Sequence, residues 1–299
     1  MSSSTTQVNP RAGAAAPLAA GFGGAYPRLL GALALVAAAA AALTFAWPQV
    51  LTGPAVMNGS ARGTALVVLV VAVPTLAASM GPAARGSVRA QILSLGALAY
   101  LTYNAVMFVF GTPFNQLFLL YVAMLSLSVA ALIVGVSAAR ASRMVVDRLP
   151  ARPIAIYIWV VVLLNALAWL RTIVPALLDE RPTAFLDGTG LATNPVFVQD
   201  LAFWLPGMAL VGFWLWRQRP GGALLAGAGL VFWVIEALGV AVDQWFGAKA
   251  DPSSGIASAS AVPVFAALAL VGLVPAWLVL RAIGRASAVT DGSTQSQRT

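Results

Sequence analysis

The sequence contains no cysteine and no histidine. Their absence removes disulfides, thiol chemistry, thiolate-bound iron–sulfur clusters and histidine-ligated haem, zinc or copper. It also removes the side chain that most often carries protons near neutral pH. No metal and no cofactor is therefore expected, and acid–base chemistry falls to carboxylates, tyrosine, arginine or the single lysine, Lys249. Lys249 lies in a polar stretch, which argues against a retinal Schiff base. Charge is scarce as well: 9% of the 299 residues are charged, against about 25% in soluble domains. The sequence has no Walker A loop, nucleophile elbow, metalloprotease motif or paired-aspartate phosphotransfer motif, so no catalytic residue is assigned and an enzyme is the less expected outcome.

What is present is apolar. Hydrophobic residues make up 60% of the chain and mean hydropathy is +0.89. Eight runs stand out: 27–47, 63–81, 90–110, 117–137, 154–178, 196–216, 223–246 and 261–283. Each is about as long as the 20 or so residues that cross the hydrocarbon core of a bilayer. Backbone groups in lipid must bond within their own segment or in a closed barrel. Barrel strands alternate polar and apolar residues, and stretches such as Leu66–Val73 do not. The expected fold is an all-α, polytopic transmembrane bundle of about eight helices over residues 27–283. Residues 1–26 and 284–299 lack apolar periodicity and are expected as loose cytoplasmic tails. An alternative for the first run is a cleaved signal sequence, with Thr44–Phe45–Ala46 as the cleavage region; this would leave seven spans.

The formal net charge of +8 does not mark a nucleic-acid binder, because the basic residues sit in short connections between apolar runs. They are asymmetric. With the N-terminus inside, Arg11, Arg28, Arg85, Arg89, Arg140, Arg143, Arg148, Arg152, Arg217, Arg219, Arg281, Arg285 and Arg298 fall on the cytoplasmic side; Arg62, Arg181 and Lys249 fall outside. The positive-inside rule then predicts a cell-membrane protein with both termini cytoplasmic. The expected partners are the lipid bilayer, with anionic head groups at the arginine-rich connection 138–153, and a small solute. No nucleic acid is expected, and the residues name no protein partner.

Ionisable residues inside apolar runs are the best pointers to function, since each costs at least about 2.5–3.5 kcal/mol at mid-bilayer. Four stand out: Arg171, Asp200, Glu236 and Asp243. All fall in the outer half of their runs. Glu236 and Asp243 are seven residues apart, so they share a helix face about 10.5 Å apart along the axis. The opposite signs predict that Arg171 pairs with Asp200 or Glu236. Tyr100, Tyr103, Asn104 and Asn165 are candidate polar pocket residues, with Tyr100 and Asn104 at i, i+4 on one face. Helix-to-helix bonding is the competing role for each. Pro74, Pro206 and Pro275 interrupt runs and free the carbonyls of Val70, Ala202 and Val271.

The stretch Gly111–Thr–Pro–Phe–Asn–Gln–Leu–Phe–Leu–Leu–Tyr121 and the stretch Asn194–Pro195 to Trp216 resemble segments of uncharacterised bacterial multi-pass integral membrane proteins. The resemblance covers a small part of the chain and implies no activity. Three functions compete. A transporter or solute-binding permease with an outward-facing polar pocket accounts for the polar outer cluster and could couple protons through Glu236. A non-catalytic accessory protein would use a structural intramembrane charge cluster to dock helices or a partner. A membrane enzyme would use Asp200 or Glu236 as general base, without a visible nucleophile or metal set.

Overall fold

The computed structural model describes residues 24–141 and 149–296, with side chains as far as Ile283. Arg11, Arg143, Arg148 and Arg298, and the side chain of Arg285, lie outside the described residues, as do residues 1–23 of the expected N-terminal tail and 297–299 of the C-terminal one. Among the described residues, eight helices are long and apolar enough to cross a membrane: α1 Ala25–Ala46, α2 Ala55–Ala84, α3 Val88–Phe110, α4 Phe118–Ala141, α5 Ala151–Leu177, α6 Pro195–Trp216, α7 Gly222–Ala250 and α8 Ala261–Ile283, the last continuing as helix to Ser296. No strand occurs among the described residues, and the fold is an all-α polytopic bundle.

Successive spans alternate in direction, so the α2–α3, α4–α5 and α6–α7 connections share one side. Arg85, Arg89, Arg140, Arg152, Arg217 and Arg219 lie there, and we refer to it as the basic side. The far side carries the α3–α4, α5–α6 and α7–α8 connections.

Helices α3 and α7 form the centre and are the most buried of the eight. Small residues permit this. A Cβ at Gly96 of α3 would lie 2.5 Å from Val231 of α7, and Cβ atoms at Gly59 and Gly63 of α2 would lie 2.5 Å from the Phe246 carbonyl and 2.7 Å from the Asp243 Cα. Close backbone approach of this kind is how helices associate where lipid supplies no hydrophobic drive. Helix α5 sits at the edge and packs chiefly on α6. Its Leu163, Leu164, Leu167 and Leu170 point outward, a surface that would be a liability in water and is ordinary against lipid.

Two of the three prolines have local consequences beyond a kink. Residues Val68–Ala72 of α2 and Asp200–Trp204 of α6 are π-helical, and each segment ends two residues before Pro74 or Pro206. The missing proline donor is absorbed by widening the preceding turn: the Val73 amide donates to the Val68 carbonyl and the Leu205 amide to the Asp200 carbonyl. Pro275 sits within α8.

Asparagine starts two helices on the far side. The Asn194 side chain accepts from the amides of Val196 (2.9 Å) and Phe197 (3.4 Å), with Pro195 at the first helical position of α6. Asn115 accepts from the Leu117 amide at 2.9 Å just ahead of α4.

Candidate functional site

The capped start of α6 sets the depth of Asp200 one turn into the span, where the π segment begins. Asp200 is 8% exposed. Its carboxylate accepts a 2.8 Å hydrogen bond from the indole N–H of Trp169 on α5 and faces the Tyr103 hydroxyl of α3. The preceding Gln199 is also buried. Its oxygen accepts from the Trp204 indole at 3.2 Å, and its amide nitrogen has no partner.

Helix α7 supplies the other two carboxyls. Glu236 is half-buried and accepts a long, 3.4 Å bond from the Asn104 amide of α3, which also donates to the Tyr100 carbonyl. Asp243, two turns toward the far side, accepts from the neighbouring Gln244 amide at 3.2 Å. The oxygen of Gln244 accepts from the Ser258 amide at 2.9 Å, which ties this end of α7 to the α7–α8 connection. Between the two acids sits Tyr100, fully buried. Its hydroxyl has no hydrogen-bond partner. It comes so close to α7 that a Cβ at Gly239 would be 2.7 Å away, and it lies within electrostatic reach of both Glu236 and Asp243. Glu236 in turn feels Asp243 and Asp200.

An aromatic floor lies on the basic side of Asp200 and Glu236, with Tyr103 of the cluster packed against it. Tyr103, Trp204 and Phe232 come from α3, α6 and α7, with ring centroids 4.7 to 5.8 Å apart. Phe232 is one turn below Glu236, and Trp204 is one turn below Asp200.

The expected pairing of Arg171 is corrected. The one ion pair among the described residues joins Arg181 to Asp187 in the α5–α6 connection, at 3.5 Å, with both side chains mostly exposed. Arg171 is exposed and pairs with neither Asp200 nor Glu236. The reason is azimuthal: two residues along a helix turn through about 200°, so when Trp169 faces Asp200, Arg171 faces away. Asn165 lies half-exposed on peripheral α5, outside the cluster formed by Tyr100, Tyr103, Asn104, Asp200, Glu236 and Asp243. Tyr121, also on the far side, is bonded at 2.7 Å to Thr44 and ties α4 to α1.

Trp169, Gln199 and Phe232 join the site in the structure without being among the expected residues. An indole N–H is a donor that wants an acceptor when buried, and Trp169 stood close in depth to Asp200; that was the available signal. Gln199 and Phe232 offered none. Among the described residues no three carboxylates are placed to hold a metal ion together.

The arrangement is three carboxyl groups in the far-side half of the bundle, held by neutral donors and without a basic partner among the described residues. Of the four buried side-chain groups without a hydrogen-bond partner among the described residues, two, the Tyr100 hydroxyl and the Gln199 amide, lie here; the others are on Tyr26 and Gln91. Comparison with known proteins brings no further guide: no family model, curated protein or solved structure matches this chain.

Proposed function

We propose that this protein is a transporter, or solute-binding permease, of the cell membrane, with a polar pocket open toward the outer face and Glu236 as its central group. The observation that supports this reading is the uncompensated cluster of Asp200, Glu236 and Asp243. Charge in the bilayer interior is costly, and ionisable residues that persist there mark ion and substrate paths. With no arginine or lysine opposite them among the described residues, these carboxyls are balanced by protons or by a cationic ligand. The Tyr100 hydroxyl and Gln199 amide stand ready for the same occupant. The aromatic floor fits a site accessible from the far side and shut from the basic side, and a π segment beginning at Asp200 is a point where α6 can change register. In this reading the basic side is cytoplasmic, both termini lie there, and its arginines contact anionic head groups.

The test begins with purified protein in detergent, screened by thermal shift against small organic cations and neutral solutes. A solute that stabilises the wild type is then followed into proteoliposomes under an imposed proton gradient. Glu236→Gln is expected to fold and to lose both the shift and the uptake. Tyr100→Phe is expected to keep the wild-type melting temperature, because its hydroxyl makes no internal bond, while weakening the solute effect. If both variants match the wild type in binding and uptake, the accessory reading replaces the transporter.

A further inference from the structure

A second feature lies away from the carboxyl cluster and is independent of it. Helices α3, α7 and α8 leave a groove of about 690 Å³ between them, with Thr75 of α2 at its edge. That is within the range of about 300–1,000 Å³ typical of small-molecule sites. Its wall is apolar, formed chiefly by Leu93, Val231, Val234, Leu273, Trp277 and Leu280. Trp277 and Leu273 are about half exposed, so the groove opens sideways at the surface of the bundle. It lies in the half nearer the basic side, since Leu93 is in the second turn of α3 and Leu280 is in the last turn of α8.

Two arginines stand at its basic-side rim. The Arg281 guanidinium lies 4.7 Å from the centroid of Trp277, one of the wall residues, and is fixed there by a cation–π contact. The Nε of Arg89, one turn before Leu93, donates to the carbonyl of Leu280, another wall residue, at 2.9 Å. That bond orients the guanidinium and leaves its terminal nitrogens for another acceptor. Neither arginine forms an ion pair with a carboxylate among the described residues. Two oriented guanidiniums at the mouth of an apolar slot match an amphiphile with a phosphate head and a hydrocarbon tail. Guanidinium is the side chain best suited to bidentate contact with phosphate.

We infer that this groove is a specific site for an anionic phospholipid of the bilayer, its acyl chain along Leu93, Val234 and Trp277 and its phosphate between Arg89 and Arg281. A scattered basic surface would attract anionic lipid wherever it is exposed. This site differs because the charges are held against the wall that takes the chain.

Native mass spectrometry of the purified full chain tests it, with equal amounts of phosphatidylglycerol and phosphatidylcholine of the same acyl chains. The wild type is expected to retain phosphatidylglycerol preferentially. Arg89→Gln combined with Arg281→Gln is expected to lower that preference by about tenfold, in line with the loss of two favourable basic contacts. Arg217→Gln with Arg219→Gln, which removes the same charge at the α6–α7 turn, is expected to leave it nearly intact. Val274→Phe, which narrows the groove from an exposed position on α8, is expected to lower retention with both arginines present. Should the double variant fail to purify as a single species, Arg281→Gln alone is read in its place. Equal loss in both double variants, or unchanged retention in Arg89→Gln with Arg281→Gln, overturns the site.

Discussion

Asp200 is held by an indole, and this changes what each nearby substitution should do. Trp169→Phe keeps the ring and removes the donor, so a buried carboxyl loses its shortest bond. The expected cost is about 1–3 kcal/mol, seen as a lower melting temperature in detergent. Arg171→Ala removes a charge that faces outward and is expected to leave the melting temperature nearly unchanged. Combined with Asp200→Asn, it should be additive. A coupling of more than about 1 kcal/mol between Arg171 and Asp200 would contradict the geometry described here. The presence of charges at this depth was legible in the sequence, but their direction around α5 was not. In water, the polar face of a helix reveals its outward side. In lipid the outward side is as apolar as the core, and α5, with Leu163, Leu164, Leu167 and Leu170 exposed, offers no contrast to read.

Helix ends follow the same logic at the next scale. Six runs read from hydropathy agree with the helices to within about a turn, and the eighth agrees at its start while its helix continues past Ile283 to Ser296. The second begins at Ala55 instead of 63 because its first two turns carry Asn58, Ser60 and Arg62. Their polar groups are satisfied by backbone carbonyls that hydropathy cannot see. Asn58 donates to Leu51 and Gly53, Ser60 to Asp243, and Arg62 to Phe45. The added turns meet α7 at Gly59, and Gly63 at the start of the run continues the contact, so the hidden part of α2 helps to brace the helix that carries Glu236 and Asp243. Gly63→Val is therefore expected to destabilise by about 1–3 kcal/mol through overpacking, because its Cβ has only 2.7 Å to the Asp243 Cα. It should also disturb the solute response. Gly207→Ala, at an open position on α6 with nothing within 4 Å of the new Cβ, serves as the matched control and should be silent. Equal melting temperatures for the two variants would argue against the close α2–α7 contact. The prolines, likewise, were legible as breaks. That two of them would be absorbed as π segments, one starting at Asp200, was not, because a widened turn depends on the neighbouring helices as much as on the proline.

At the scale of the whole molecule, the eight alternating spans among the described residues leave most of the arginines on the basic side and most of the far-side connections short or acidic. The described α5–α6 connection carries Asp179, Glu180 and Asp187 against a single Arg181, whereas the turn between α6 and α7 holds Arg217 and Arg219 and no acid. Cytoplasmic connections keep arginine because moving it across the membrane during insertion is unfavourable, and acids bias orientation much less. The bias repeats at Arg28, at Arg85 with Arg89, at Arg140 with Arg152, and at Arg281, so reversing one pair should not invert the protein. Fusions of an alkaline phosphatase, which folds only outside the cytoplasm, give the direct readout. A fusion at Asp187 should be active. Fusions at Gln218 and after Arg285 should be inactive, and a cytoplasmic fluorescent reporter at the same two places should show the opposite pattern. Substituting Arg217 and Arg219 together by Gln should leave all three results unchanged, since orientation is set by the sum over connections. Phosphatase activity at Gln218 in the unsubstituted chain would place the carboxyl cluster on the cytoplasmic half, and the solute path proposed here would then open inward.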